Sequence, residues 1–136
     1  MAASANRLTK RSDNAMNHLG IKAAVHIYQG TLVEVDYQTP YLAMPAANTD
    51  AASHFLGVSY EEYDNTGGAA SALTVKTYIR GEFEFAASGA DNTWIGKTAY
   101  CTDDQTVNVT SGNYAVGRVV AIISATAVRV RIDGYC

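Results

Sequence analysis

The residues of this chain whose types could do chemistry are three histidines, two cysteines and two adjacent acidic pairs. His18, His26 and His54 are scattered, and none falls in an H-E-x-x-H or comparable metal-ligand spacing. Isolated histidines of this kind are expected as surface or internally satisfied groups. Glu61-Glu62 and Asp103-Asp104 are neighbours in sequence. Successive residues of a strand point to opposite faces, so neither pair makes a carboxylate dyad there, and in a turn they cap or solvate. YDNTGG and TDDQT offer too few oxygen ligands for a calcium loop. Gly96-Lys97-Thr98 looks like the tail of a phosphate-binding loop, but the first glycine is missing at the required spacing and no helix is expected after it. Cys101 and Cys136 make no C-x-x-C pair. Free thiols and a single bridge both remain open from sequence. No catalytic residue, cofactor site or metal site is expected, and the chain is not expected to be an enzyme.

A second candidate is basic. The segment VRVRID, from Val128 to Asp133, alternates apolar and charged residues one for one. Strand geometry turns Val128, Val130 and Ile132 toward a core and Arg129 and Arg131 away from it. Arg118 could join them on a neighbouring strand, or Glu82 and Glu84 could oppose them as cross-strand pairs. A solvated sheet face is the expected role.

The elements that must position these groups are strands. The length of 136 residues suits one domain, and 48% apolar residues can supply its core. A net charge of -3 argues against a dedicated nucleic-acid binder. The N-terminus lacks a signal-peptide core, and the longest apolar runs, such as VVAII, are too short to span a bilayer. A soluble protein made in the cytoplasm is expected, with no membrane partner.

Residues 1–20 read as a polar arm in which Arg7, Lys10 and Arg11 face one acid, Asp13, whereas Lys22 to Asp133 holds seven basic and twelve acidic residues. The arm is either a docking segment or a terminus without a role. Residues 21–136 read as a β domain. IKAAVHIY and TLVEVDY are expected strands around a Gln29-Gly30 turn, with Val33, Val35 and Tyr37 on the apolar face of the second. Pro40 and Pro45 bracket YLAM, an edge strand or irregular crossing. HFLGVS reads as a short strand buried on both faces. In VKTYIRGEFEF the residues Val75, Thr77, Ile79, Phe83 and Phe85 share one face, and Gly81 marks a bulge or a bend between two strands. WIGKTAYC, TVNV, YAVGRVVAII and AVRVRID supply further strands, joined by turns such as TSGN. Short strands and turn signals without helical periodicity mean an all-β fold, an antiparallel sandwich or barrel. Nine tyrosines and one tryptophan suit either strand packing or an association surface.

From residue 54 to 133 the ordered segments Gly57-Val58, Gly81 to Ala86, Gly96 to Asp103, Val116 to Val119 and Ala127 to Ile132 are similar to the capsid decoration, or cement, proteins of tailed bacteriophages. The N-terminal extension, the longer YEEYDNTGGAASAL insert and the terminal Tyr135-Cys136 depart from that pattern. The resemblance implies a jelly-roll-like β-sandwich and a structural role. Such a protein binds the outer surface of the expanded head, bridges neighbouring major capsid proteins and stabilises the shell against internal DNA pressure. Its partners would be the major capsid protein and itself, as a homodimer or homotrimer, and its location the outer capsid surface of the virion. Arg7, Lys10 and Arg11 are the expected contacts to the capsid or a neighbouring copy, with Tyr60, Tyr63 and Trp94 as further interface residues. The other readings are a tail- or fibre-associated module and a carbohydrate-binding sandwich in which Trp94 and nearby tyrosines stack on sugar rings.

Overall fold

The computed structural model describes residue 5 and residues 16–38, 40–50 and 52–133. The strands in chain order are β1 (Met16–Gly20), β2 (His26–Ile27), β3 (Leu32–Val35), β4 (Ala43–Pro45), β5 (His54–Ser59), β6 (Tyr63–Asp64), β7 (Thr74–Tyr78) and β8 (Gly81–Ala86). A single 3-10 turn, Asn92–Trp94, precedes β9 (Thr98–Cys101), β10 (Val107–Asn108), β11 (Ala115–Ser124) and β12 (Ala127–Ile132). Two five-stranded sheets form, ordered β1-β7-β5-β3-β4 and β10-β9-β11-β12-β8, and all strand pairs in them are antiparallel. The all-β antiparallel sandwich expected from the sequence is what the chain makes.

The main core lies between the sheets. Leu32 and Val58 from the first sheet meet Phe85, Val116, Val119, Val128, Val130 and Ile132 from the second. Burying each such side chain contributes about 1.5–3 kcal/mol, so this layer dominates stability. Close approach of β11 and β12 depends on Gly117. A Cβ there would lie 2.1 Å from the Arg131 carbonyl oxygen and 2.9 Å from Val130 Cγ1.

A second core sits on the outer face of the first sheet. Ile21, Ile27, Val33, Ala43 and Val75 bury there, with Leu19, Leu56 and Tyr63 packed against them. The short pair β2-β6 belongs to this layer. Buried Asn65 ties its loop down by donating from Nδ2 to the carbonyls of Lys22 (2.9 Å) and Ala69 (3.1 Å).

This extra layer explains where the sequence reading fails. In β3 the residues Leu32, Val33 and Glu34 are all buried, whereas Tyr37 is 49% exposed, so the expected Val33–Val35–Tyr37 face is not the inner one. A strand covered on both sides loses the alternation that marks a half-buried one. A register shift opposite β3, with Val33 facing Gly57 and Glu34 facing Phe55, lets Phe55 and Val58 both reach the main core while Leu56 turns to the second. The single face expected for VKTYIRGEFEF also splits. Val75 enters the second core, while Phe83 and Phe85 join the main one, because β7 and β8 belong to different sheets. Gly81, at φ +130°, sits at the corner as anticipated. IKAAVHIY is not one strand, since Ala24 at φ +60° turns the chain before β2. Residues 16–20, assigned to the arm from sequence, form edge strand β1 on β7, with Leu19 supplying the apolar anchor.

Candidate interaction surface

The outer face of the second sheet carries Glu82 and Glu84 on β8, Arg129 and Arg131 on β12, and Arg118 on β11. Arg131 Nη2 donates to Glu82 Oε2 at 2.9 Å, and Arg129 lies opposite Glu84 in register. Arg118 faces Arg131 in register but donates from Nη1 to the Gly96 carbonyl at 3.0 Å. The arginines of VRVRID thus form a solvated face with cross-strand acids. An exposed pair such as Arg131–Glu82 contributes at most about 1 kcal/mol.

One side of the sandwich is open between β5 and β8. There Tyr60 meets Tyr78 edge-on at 5.4 Å, and Tyr78 meets Phe83 at 5.7 Å. These rings, with Val58, Ser59 and Glu61, line a cleft of about 280 Å³. A second cleft of about 440 Å³ runs past Thr31, Glu84, Ala86 and Gln105. Both clefts are lined by Gln29 and Gly30, so they adjoin as one trough along the free edge of β8. The Gln29-Gly30 turn is held by Gly30 N–H donating to the Ser59 carbonyl at 3.0 Å. That turn is legible in the sequence; its position across from β8 is not.

Of the interface residues expected from sequence, Tyr60 lines this trough and is 38% exposed. Tyr63 lies elsewhere. It is half-buried against the second core, and its hydroxyl accepts a hydrogen bond from the Lys76 N–H at 3.1 Å. Trp94 is half-buried against the main core, on a turn capped by Asp91. The Thr93 hydroxyl and N–H both donate to the Asp91 carboxylate, which holds its pKa below the ordinary value. Arg7, Lys10 and Arg11 lie outside the described residues. Tyr28, Tyr37 and Tyr41 are about half exposed, and Tyr41 adopts φ +61°, which is uncommon for a bulky side chain.

Several titratable groups have local partners. His26 stacks on Tyr28 at 4.1 Å, and its Nε2 lies 3.1 Å from Glu62 Oε2. Asp64 opposite His26 accepts from Thr66 side chain and backbone, which lowers its pKa. Among the described residues no three His, Cys, Asp or Glu side chains cluster to hold a metal ion. No helix among them is long and apolar enough to cross a membrane.

The sequence gives no warning of one buried polar group. Glu34, 1% exposed, accepts from the Ala47 N–H at 2.6 Å and the Tyr114 hydroxyl at 3.1 Å, both at Oε1. Burial, then the neighbouring Cys101 and Glu34, raise the Tyr114 pKa far above its usual value, so it stays a donor. Cys101 is a free, buried thiol whose Sγ donates to the Asp103 carbonyl at 3.3 Å, and burial pushes its pKa up to about 11. This cluster ties β3 to Tyr114, the residue before β11, and offers solvent no reactive group.

Comparison with family models, with curated proteins and with solved structures returns no match for this chain.

Proposed function

We propose that this protein is a structural cement of a tailed-phage head. In this reading it binds the outer surface of the expanded shell and bridges neighbouring major capsid proteins. What supports the reading most is where the resembling segments fall. Gly81 to Ala86 is β8, Gly96 to Asp103 contains β9, Val116 to Val119 lies in β11, and Ala127 to Ile132 is β12. Gly57-Val58 lies in β5 of the first sheet, and the other four segments fall on four of the five strands of the second.

A two-sheet body with a single main core is stiff enough to span a seam between shell subunits. Modest contacts suffice, because a second contact made by the same body, or by an oligomer of it, is effectively intramolecular. Exposed Tyr28, Tyr37, Tyr41 and Tyr60 supply amphipathic contact area, as interfaces favour. Trp94 and Tyr63 serve the cores instead, and the sugar-stacking alternative has no free tryptophan platform here.

The test is mechanical. Heads assembled without this chain are heated with and without added protein, and shell rupture is followed by nuclease access to the packaged DNA. The cement reading expects rupture to move to higher temperature in a saturable way. An unchanged rupture temperature at saturating protein counts against it.

A further inference from the structure

The sandwich ends unevenly on one flank. The first sheet runs out to β1, beyond β7, whereas the second stops at β8. β7 crosses into β8 on this flank through Ile79 and Arg80, and Tyr78 packs on Phe83 across the gap. Directly opposed residues of an antiparallel pair share a face, so Met16 points the same way as Tyr78, and His18 the same way as Lys76. Val58, opposite Tyr78 on its other side and buried in the main core, marks that face as the inner one. Yet His18 and Lys76 are exposed. The inner face of β1 and β7 is therefore uncovered where one more strand beside β8 would lie.

β8 has the backbone groups that such a strand needs. Ala87 N–H donates to the Thr126 carbonyl at 2.9 Å, toward the β12 side, and Ala86 N–H to the Gln105 carbonyl at 2.9 Å, on the opposite side. In an antiparallel ladder without a register shift this direction alternates residue by residue. Glu82 and Glu84 therefore aim their N–H and C=O groups out of the sheet, along the trough lined by Tyr60, Tyr78 and Phe83. A bare edge of this kind is a template for an added strand.

The strand nearest to hand is the chain's own. Met16 stands opposite Tyr78, which lines the trough, so residues 1–15 join the described fold at the trough's mouth. The arm runs toward Met16 while β8 runs away from Tyr78, so the two are antiparallel when laid side by side, the sense that a short connection allows. At ~3.3 Å per residue the stretch from Arg7 to Met16 reaches about 30 Å, against about 20 Å for the 6 residues of β8. Charge agrees. In residues 1–15 Arg7, Lys10 and Arg11 outnumber Asp13. Of the two acids lining the trough, Glu84 faces Arg129 in register, which leaves Glu61. Glu61 is exposed and makes no ion pair among the described residues. Lys76 lines neither cleft, and the rings of Tyr60, Tyr78 and Phe83 beside Glu61 also favour a cation. We infer that residues 1–15 turn back at Met16 and lie along the free edge of β8 of the same chain, closing the open flank with Lys10 and Arg11 against Glu61 and the aromatic rings. The arm then shields that edge from other chains. Tyr28, Tyr37 and Tyr41 line neither cleft, so they stay outward as contact area.

The experiment uses the full chain and no shell, so its failure and the failure of the cement reading are distinguishable. Amide hydrogen exchange is followed at Glu82 and Glu84, with Val119, whose N–H is bonded to the Lys97 carbonyl at 3.0 Å, as the control for the fold. Exchange at Glu82 and Glu84 is expected to be at least tenfold faster in K10E/R11E and in E61K than in the wild type, at unchanged exchange of Val119, and slow again in the chain carrying all three changes. Glu61 is exposed, so its reversal leaves both cores intact. Free-edge exchange at Glu82 and Glu84 in the wild type, or protection indifferent to the reversals, overturns the inference. Coupling with a zero-length amine–carboxylate reagent in a mixture of heavy-isotope and unlabelled protein tells which chain supplies the arm. Peptides joining Lys10 to Glu61 are expected with a single isotope and at a yield independent of dilution. Mixed-isotope peptides, or none joining these positions, overturn it.

Discussion

Tyr114→Phe removes one hydroxyl and keeps the ring, which stacks near Phe55 with centroids 6.1 Å apart. The lost group is one of the two hydrogen-bond donors to Glu34 Oε1, inside the sandwich. A hydrogen bond to a charged group contributes about 1.5–3 kcal/mol, and the remaining donor, Ala47 N–H, still holds the carboxylate. The expected loss is about 2 kcal/mol, which for a domain of this size lowers Tm by about 7 °C. Urea unfolding should show a lower midpoint at unchanged slope, since the surface exposed on unfolding is the same. The coupling to Glu34 can be isolated with Glu34→Met and the double variant, whose interaction energy should exceed about 1 kcal/mol. A loss below about 0.5 kcal/mol for Tyr114→Phe would refute the reasoning, because the buried carboxylate would then be satisfied by something other than this hydroxyl.

Gly117→Ala should destabilise by about 1–3 kcal/mol, as overpacking against backbone does, seen as a lower denaturation midpoint; a neutral result would mean β11 and β12 can separate freely. Cys101, with its pKa pushed up to about 11, should carry about 100-fold less thiolate at pH 7.5 than an ordinary thiol and react with a thiol reagent only after unfolding. Fast native labelling assigned to Cys101 by peptide mapping would contradict that placement. Burial, then the charge of Asp103, raises the Asp104 pKa above 3.8, so the folded state holds this proton more tightly than the unfolded chain and loses stability as pH rises through that window. Asp104→Asn should therefore raise Tm at pH 7 and not at pH 3. Asp36 has the opposite sign: Lys22, at 2.8 Å, and the Gln38 N–H lower its pKa, so its contribution is present above 3.8 and fades as pH falls below it.

Much of the fold was legible because strands at a half-wet sheet announce themselves. AVRVRID, YAVGRVVAII and GEFEF gave their positions and their inner faces through alternation or a continuous apolar run. The failures cluster in the first sheet. Leu32, Val33 and Glu34 are buried together because β2-β6 covers a face that most sandwiches leave to solvent, and nothing local in TLVEVDY announces a third layer. Glu34 reads as a wet-face residue for the same reason, since its partners are 13 and 80 residues away. Leu19 sits in a polar stretch, so the sequence does not separate β1 from the arm. For the interaction surface, Tyr60 and Tyr78 both line the trough, but the sequence does not separate Tyr60 from Tyr63 and Trp94, whose burial depends on long-range packing. The trough itself joins a turn at Gln29-Gly30 to an edge at β8, and no sequence spacing encodes that proximity.

The measurement closest to the central claim is co-sedimentation with expanded, DNA-free heads assembled without this chain, with unexpanded heads as the control. The cement reading predicts saturable binding to the expanded heads and little to the unexpanded ones. Absence of binding to expanded heads at every salt concentration would contradict it.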